Sequence, residues 1–376
     1  MADVDDVSIL EQSSPDNSGK EFMIGFMENS IIKRKDFDIE LFITTASSSK
    51  VLVRVTAPKT KYPHLNETLQ VSNGEVKQLS ISNKFRHIGT EFSSKGILIT
   101  STDEVVVYGI NKEFYSTDGF LGLPTDVLGT KYFAATYAPA TRYCLILIVG
   151  VHDNTNVNIK LGDNNGVRVI YGGITYGKGD SFEVKINRFS TFQIHSSGDL
   201  TGTCVTSNKT VSIFSGNIKT AIGRGKTQDH LVEQLVPVDR WGKRFLAMST
   251  PDRTAGDIYR FIASERDTEI IVKFQTQGRR TTSDTLRLSL PGHWTYKWYD
   301  SNTLLSITSS KPISVLQYTV SQYNDLGDPS MMIIPPIEQY GADYTFTTPK
   351  YSQGSYFNYL LFVVRNSEKT WIEDKW

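Results

Sequence analysis

Pro124-Thr-Asp-Val-Leu-Gly129-Thr-Lys-Tyr132 decides the reading of this chain because it recurs. The pattern of Pro, four residues, Gly, two residues and an aromatic returns as Pro237-Val-Asp-Arg-Trp-Gly242-Lys-Arg-Phe245 and as Pro336-Ile-Glu-Gln-Tyr-Gly341-Ala-Asp-Tyr344. Its chemistry predicts a single helical turn. Proline is tolerated at the first helical position, where its missing N–H is not needed, and glycine ends the turn in the left-handed region. A strand then starts at the aromatic. A degenerate first copy, Gly19-Lys-Glu-Phe22, keeps the glycine and the aromatic but lacks the proline.

Two further elements keep step with this one. After each glycine comes an expected pair of strands joined by a short polar turn: Asp38-Ile-Glu-Leu-Phe-Ile43 to Val51, Cys144-Leu-Ile-Leu-Ile-Val149 to Val157, Asp257-Ile-Tyr-Arg-Phe-Ile262 to Ile270, and Asn358-Tyr-Leu-Leu-Phe-Val363 to Trp371. Later in each unit an expected hairpin follows, Ile97-Leu-Ile-Thr-Ser-Thr-Asp-Glu-Val105, Thr203-Cys-Val-Thr-Ser-Asn-Lys-Thr-Val211 and Leu305-Ser-Ile-Thr-Ser-Ser-Lys-Pro-Ile313. The period is about 110 residues. We therefore expect a polar tail over 1–18, β units over 19–128, 129–241 and 242–340, and a partial fourth over 341–376, as in a fragment of a longer protein.

The runs between turn signals are short, rich in β-branched and aromatic residues, and often alternate apolar with polar, as in Val51-Leu-Val-Arg-Val55 and Asn156-Val-Asn-Ile-Lys-Leu161. No sustained helical periodicity occurs beyond a turn or two near 230–235. The chain reads as all-β, built of tandem sandwich-like units of about 110 residues; a propeller blade of roughly 40 to 50 residues is too short for this period.

Composition narrows the function. The 376 residues carry Lys+Arg 40 and Asp+Glu 40, so there is no positive excess for a nucleic-acid backbone or an anionic membrane. No apolar run approaches the roughly 20 residues of a membrane-spanning helix. The acidic N-terminus does not read as a signal peptide. Two cysteines, Cys144 and Cys204, are too few for a disulfide scaffold or a four-cysteine metal site. No motif calls for a cofactor or a metal.

Three strings carry a family likeness: Phe120-Leu-Gly-Leu-Pro-Thr-Asp-Val-Leu-Gly-Thr-Lys-Tyr132, Asp199-Leu-Thr-Gly-Thr-Cys-Val-Thr-Ser-Asn-Lys-Thr-Val-Ser-Ile-Phe-Ser-Gly216, and His230-Leu-Val-Glu-Gln-Leu-Val-Pro237 with Trp241-Gly242. In this order they resemble the N-terminal domain of the immunoglobulin-G Fc-binding protein family, over about 19–364. The resemblance implies a secreted or cell-surface binding protein, often of mucus. It also implies Fc binding, by the family's name alone. Mucus-type members tend to carry a cysteine pair just before the His-x-x-Glu-Gln segment, and residues 217–229 of this chain have none.

Each candidate site has a structural alternative. Cys144 and Cys204 are either a disulfide between strands, stabilising by roughly 3 to 4 kcal/mol, or two buried thiols. His230 and Glu233 would form a metal pair or a general base if helical, or else tie one unit to the next. The turn 152–156 offers calcium oxygens or simple Asx-turn chemistry. The loop Gly223-Arg224-Gly225-Lys226 lacks the strand and long helix of a phosphate cradle and is expected to be a surface contact loop. Trp294, Tyr296, Trp298 and Tyr299 form an aromatic strand, either core or a glycan platform. Asn66 and Asn208 each head an N-glycosylation triplet at a turn.

Three functions compete: a non-enzymatic extracellular module that presents loops to a protein or glycan partner, a carbohydrate-active enzyme, and a matrix protein without a specific ligand. The first is expected. A glycosidase needs two carboxylates about 5 to 9.5 Å apart, and Glu233 with Asp229 is the pair to test.

Overall fold

The computed structural model describes residues 17–30, 37–58, 64–139, 142–322, 327–341, 344–348 and 358–363. Their regular elements are strands and three single 3-10 turns. The strands form successive antiparallel sandwiches over residues 19–121, 129–234 and 242–333. Most of the tail 1–18 and the expected strand around Trp371 lie outside the described residues. Residues 358–363, expected to open a fourth copy, carry no strand.

Each sandwich hangs on one 17-residue strand, Ile97–Glu113, Cys204–Thr220 or Thr303–Thr319. These are the segments whose polar centres read as hairpin turns, and the correction has a physical reason. The strand does not reverse but bends, so that its first half pairs in one layer and its second half in the other. In the second sandwich residues 204–207 pair with Thr155–Lys160, and residues 211–217 pair with Cys144–Gly150. The register slips between Thr206 and Val211 and, in the third sandwich, between Arg244 and Gly242 opposite the bend. Serine hydroxyls hold the bend: Ser207 Oγ donates to the Lys209 carbonyl at 2.7 Å, and Ser309 Oγ to that of Lys311 at 2.6 Å. The strands expected to pair with one another, such as Cys144–Gly150 and Thr155–Lys160, instead flank the long strand on opposite sides.

The recurring proline and glycine also have a different role from the one their order suggests. Pro237 and Pro336 occupy the residue before the 3-10 turns Val238–Arg240 and Ile337–Gln339, in extended conformation. The glycines do not adopt positive φ. Gly19, Gly129 and Gly242 instead each receive a proline from the following copy. A Cβ on Gly19 would lie 2.4 Å from Pro124 Cβ, one on Gly129 2.7 Å from Pro237 Cβ, and one on Gly242 2.3 Å from Pro336 Cβ. The aromatic closes the motif: the Gly129 N–H donates to Tyr132 Oη at 2.8 Å, and the Gly341 N–H to Tyr344 Oη at 2.7 Å.

The sandwiches share apolar faces. Along Cys144–Gly150, Cys144, Ile146 and Ile148 enter the second core, while Leu145, Leu147 and Val149 pack into the first with Phe120 and Phe22. A strand buried on both faces needs the continuous apolar run seen here, and each side chain so buried stabilises by about 2 kcal/mol. Asp257–Ala263 repeats the arrangement: Tyr259 and Phe261 face the third core, and Ile258 and Ile262 face the second sandwich.

Candidate binding site

The loop at 223–226 leaves the long strand Cys204–Thr220 and runs beside the end of the next long strand. Ile222 N–H donates to Ser321 Oγ at 2.8 Å, Ser321 N–H to the Ile222 carbonyl at 3.0 Å, and Lys226 N–H to the Gln322 carbonyl at 3.1 Å. Glycines permit this approach. Gly223 has φ +70° and contacts the Trp298 ring, and a Cβ on Gly225 would stand 1.8 Å from the Ser321 carbonyl oxygen. Trp298 is oriented by its indole N–H, which donates to the Ala255 carbonyl at 2.8 Å. The result is an open groove of about 420 Å³ lined by Arg224, Gly225, Ala255, Trp298, Val320 and Ser321. Trp298 is 42% exposed. Arg224 and Lys226 make no ion pair among the described residues. Two features singled out separately in the sequence, the basic loop and the aromatic strand, thus meet in space.

Trp294, four residues before Trp298 on the edge strand Trp294–Tyr299, is not part of this groove. Its indole N–H donates to Asn164 Oδ1 at 3.0 Å, and its ring lies 4.1 Å from the Arg260 guanidinium. Arg260 is buried beneath Trp294, Tyr318 and Tyr137, pairs with Asp199 at 3.3 Å, and donates to Thr136 O and Thr201 Oγ1. This is a joint between the second and third sandwiches, and neither Arg260 nor Asp199 stood out in the sequence. The signal was a lone arginine inside the apolar run Asp257–Ala263.

His230 and Glu233 are also separate from the groove. They lie on the strand Asp229–Gln234, paired with the long strand, where a helical turn was expected. An i, i+3 pair on a strand points to opposite faces, so the two cannot share a metal. His230 Nδ1 donates to the Asn217 carbonyl at 2.7 Å and Nε2 accepts from Asn111 Nδ2 at 3.0 Å. Burial holds its pKa down at about 4, and both ring nitrogens are occupied. Glu233 accepts from the Ile333 N–H of the third sandwich, and its carboxyl is raised well above the usual range by burial and then by Asp118. Asp229 Oδ1 accepts from Ser116 Oγ, Thr117 N and His230 N at 2.7 to 2.9 Å, and burial raises its pKa to about 7. Asp229 and Glu233 share a face but stand four residues apart, roughly 13 Å at strand rise, beyond glycosidase spacing. Among the described residues no group of three or more His, Cys, Asp or Glu is placed to hold a metal.

Cys144 and Cys204 are free, which corrects the disulfide alternative. The register sets Cys144 opposite Ser196 and Asn217 and Cys204 opposite Lys160 and Phe133, and their side chains enter different clusters. Burial pushes the Cys144 thiol up to about 12. Asn66 and Asn208 are exposed; their Oδ1 atoms accept from Arg54 Nε at 3.1 Å and Asn156 N at 2.8 Å. In the turn 152–156, Asp153 Oδ1 accepts from Arg188 N at 3.0 Å and Asn154 N donates to Asn187 Oδ1 at 2.9 Å, so these polar groups tie the turn to the loop 187–188, with Asn154 at φ +55°.

The molecule is thus a stack of antiparallel β-sandwiches with an open aromatic and cationic groove at one junction. The family model described as IgGFc binding protein matches residues 118–375, and the chain belongs to that family. The likeness read over 19–117 lies outside that match. The human IgGFc-binding protein is 26% identical over 263 residues, covering 68% of this chain and 5% of the human protein. A solved tetra-tandem repeat from the extending region of a large adhesion protein aligns over 76% of this chain and 66% of that one, at 10% identity and a TM-score of 0.13, too low to carry an argument. No helix among the described residues is long and apolar enough to cross a membrane.

Proposed function

We propose that this chain is a non-enzymatic binding module of an extracellular, secreted or cell-surface protein, and that it takes a protein partner in the groove between the Arg224 loop and Trp298. The observation that carries the reading is the seating of Trp298 against Gly223 and of Gly225 against Ser321, which leaves an aromatic face beside Arg224, a cation without an ion pair in the described residues. Central aromatic and arginine side chains are the residues that dominate protein interfaces. The name of the human relative makes immunoglobulin Fc the first partner to test, and a secreted glycan the second. Units over 19–128, 129–241 and 242–340, with a partial copy over 341–376, are the proposed architecture, in which N-glycans are accommodated at Asn66 and Asn208, both exposed on strands and not in the turns expected, Asn66 at the start of Asn66–Val71 and Asn208 at the bend of Cys204–Thr220.

Immobilised chain is titrated with Fc fragment and with a panel of secreted glycans. Binding that falls at least tenfold in Arg224→Ala and Trp298→Ala, and is unchanged in His230→Asn, supports the groove. Hydrolysis of any panel glycan that is abolished by Glu233→Ala refutes the non-enzymatic reading.

A further inference from the structure

The three sandwiches are internal controls for one another, and they differ at one sheet edge. In the second, the edge strand Thr191–Ser196 is covered by a short strand lent by the first, Glu91–Ser93, with Glu91 opposite Gln193 and Ser93 opposite Thr191. The His195 N–H also points that way and donates to Thr90 Oγ1 at 3.2 Å. In the first sandwich the corresponding edge, Val76–Ile81, is polar on its exposed side and carries the Lys77–Glu75 ion pair, a charged guard against pairing. In the third, the edge strand Trp294–Tyr299 pairs with Asp257–Ala263 and, among the described residues, no strand lies beyond it. It carries one charge, Lys297, already paired with Asp284, among aromatics.

Backbone register shows which groups face outward. The Ala263 N–H donates to the His293 carbonyl at 3.0 Å and the Gly292 N–H to that of Ala263 at 2.8 Å, a bulge with Gly292 at φ +80°. From His293 onward, alternation turns the N–H and C=O of Thr295, Lys297 and Tyr299 toward Asp257–Ala263, and those of Tyr296 and Trp298 away from it. The second sandwich has the same bulge: the Gly150 N–H donates to Ser190, and the Phe189 N–H, at φ +66°, donates to Gly150. Tyr296 therefore corresponds to Gln193, which pairs with the lent strand, and Trp298 to His195, whose N–H donates to Thr90 just before that strand; Trp294 corresponds to Thr191. The equivalent segment of the second sandwich does not cover Tyr296 and Trp298. It turns away at Asp199 and Thr201 to hold Arg260, and Tyr296 stays 54% exposed.

We infer that the Trp294–Tyr299 edge accepts an antiparallel extended segment of a partner protein, one carrying a carboxylate close to an aromatic as Glu91-Phe92 does. This deepens the binding reading and rests on it. The partner's backbone bonds to Tyr296 and Trp298, which is the strand-addition mode of peptide recognition. Arg224 and Lys226, beside Trp298, complement the carboxylate.

The test uses the full chain and a synthetic peptide of residues 88–95, Ile-Gly-Thr-Glu-Phe-Ser-Ser-Lys, with amide hydrogen exchange as the readout. In the free chain the amides of Tyr296 and Trp298 exchange fast while those of Thr295 and Lys297 are protected. Millimolar peptide slows Tyr296 and Trp298 at least tenfold, and peptide N-methylated at its Glu and second-last Ser positions equivalent to Glu91 and Ser93 does not. Tyr296→Pro, which removes only an outward N–H, abolishes the effect; the N-methyl comparison stands even if this variant fails to fold. Protection that survives N-methylation, no protection by either peptide, protection by an oligosaccharide alone, or protection that grows with chain concentration without peptide would each overturn strand addition. A groove that binds Fc or glycan through Arg224 and Trp298 but shows no N-methyl sensitivity would leave the binding reading intact while removing this one.

Discussion

A Cβ on Gly129 would come within 2.7 Å of Cβ of Pro237, a residue one full repeat later, and the same contact recurs between Gly19 and Pro124 and between Gly242 and Pro336. The proline and glycine of one motif therefore serve different junctions: the proline reaches back to the preceding glycine, and the glycine waits for the next proline. Gly129→Ala forces a shift in rigid partners, and we expect a loss of about 1 to 3 kcal/mol in urea unfolding. Pro237→Gly in the same chain, which removes that Cβ, relieves part of that loss. An unchanged midpoint in Gly129→Ala would show that the contact gives way freely.

Arg260 is buried in a box of three aromatic rings with Asp199 as its counter-charge. Arg260→Leu leaves that carboxylate buried without its cation and is expected to cost about 3 to 5 kcal/mol. Arg260→Lys rescues little, because an ammonium neither stacks on Trp294 nor reaches Thr136 and Asp199 together. Full recovery with lysine would show that charge alone holds the joint.

His230 and Asp229 tilt the pH profile in opposite directions. The folded chain resists protonating His230 until about pH 4, while the unfolded chain takes that proton near 6.5, so this residue's contribution is lost as pH falls from 6.5 to 4. The folded chain keeps the Asp229 proton up to about pH 7, while the unfolded chain releases it near 3.8, so stability is lost as pH rises through that window. Urea midpoints at pH 4.5 and 7 separate them. Asp229→Asn should make stability rise with pH, and His230→Asn should make it fall. Parallel slopes in the two variants would contradict the assignment.

Neither cysteine is bonded, so the intact mass and the melting temperature should not respond to reductant. Cys144, buried and with its thiol raised to about 12, should resist alkylation until the chain unfolds. Rapid native labelling at Cys144 would contradict its placement.

Much of the fold was legible because apolar alternation and a three-element repeat are local signals. The misreadings are also physical. Thr-Ser-Asn-Lys at 206–209 has the chemistry of a turn, and side-chain hydroxyls do hold a bend there, but a bend that carries a strand between two layers has the same composition as one that reverses it. Glycine after a turn suggests positive φ, and only the neighbouring copy reveals that the missing Cβ makes room for a proline ring. His230-Leu-Val-Glu233 fits a helical turn in isolation; pairing with the long strand decided otherwise.

Sequence alone determined that the chain is all-β, that it repeats about every 110 residues, that its charges balance, and that no apolar run has the length of a membrane-spanning helix. Those properties are summed over neighbours along the chain. Tertiary structure decided that Arg224 meets Trp298, that Arg260 meets Asp199, and that of three corresponding sheet edges one is covered by a lent strand, one is guarded by charge and one, among the described residues, has neither. These pairings join residues distant in sequence across sandwich junctions, where the stacking of whole sheets, and not the preference of any short segment, sets what touches what.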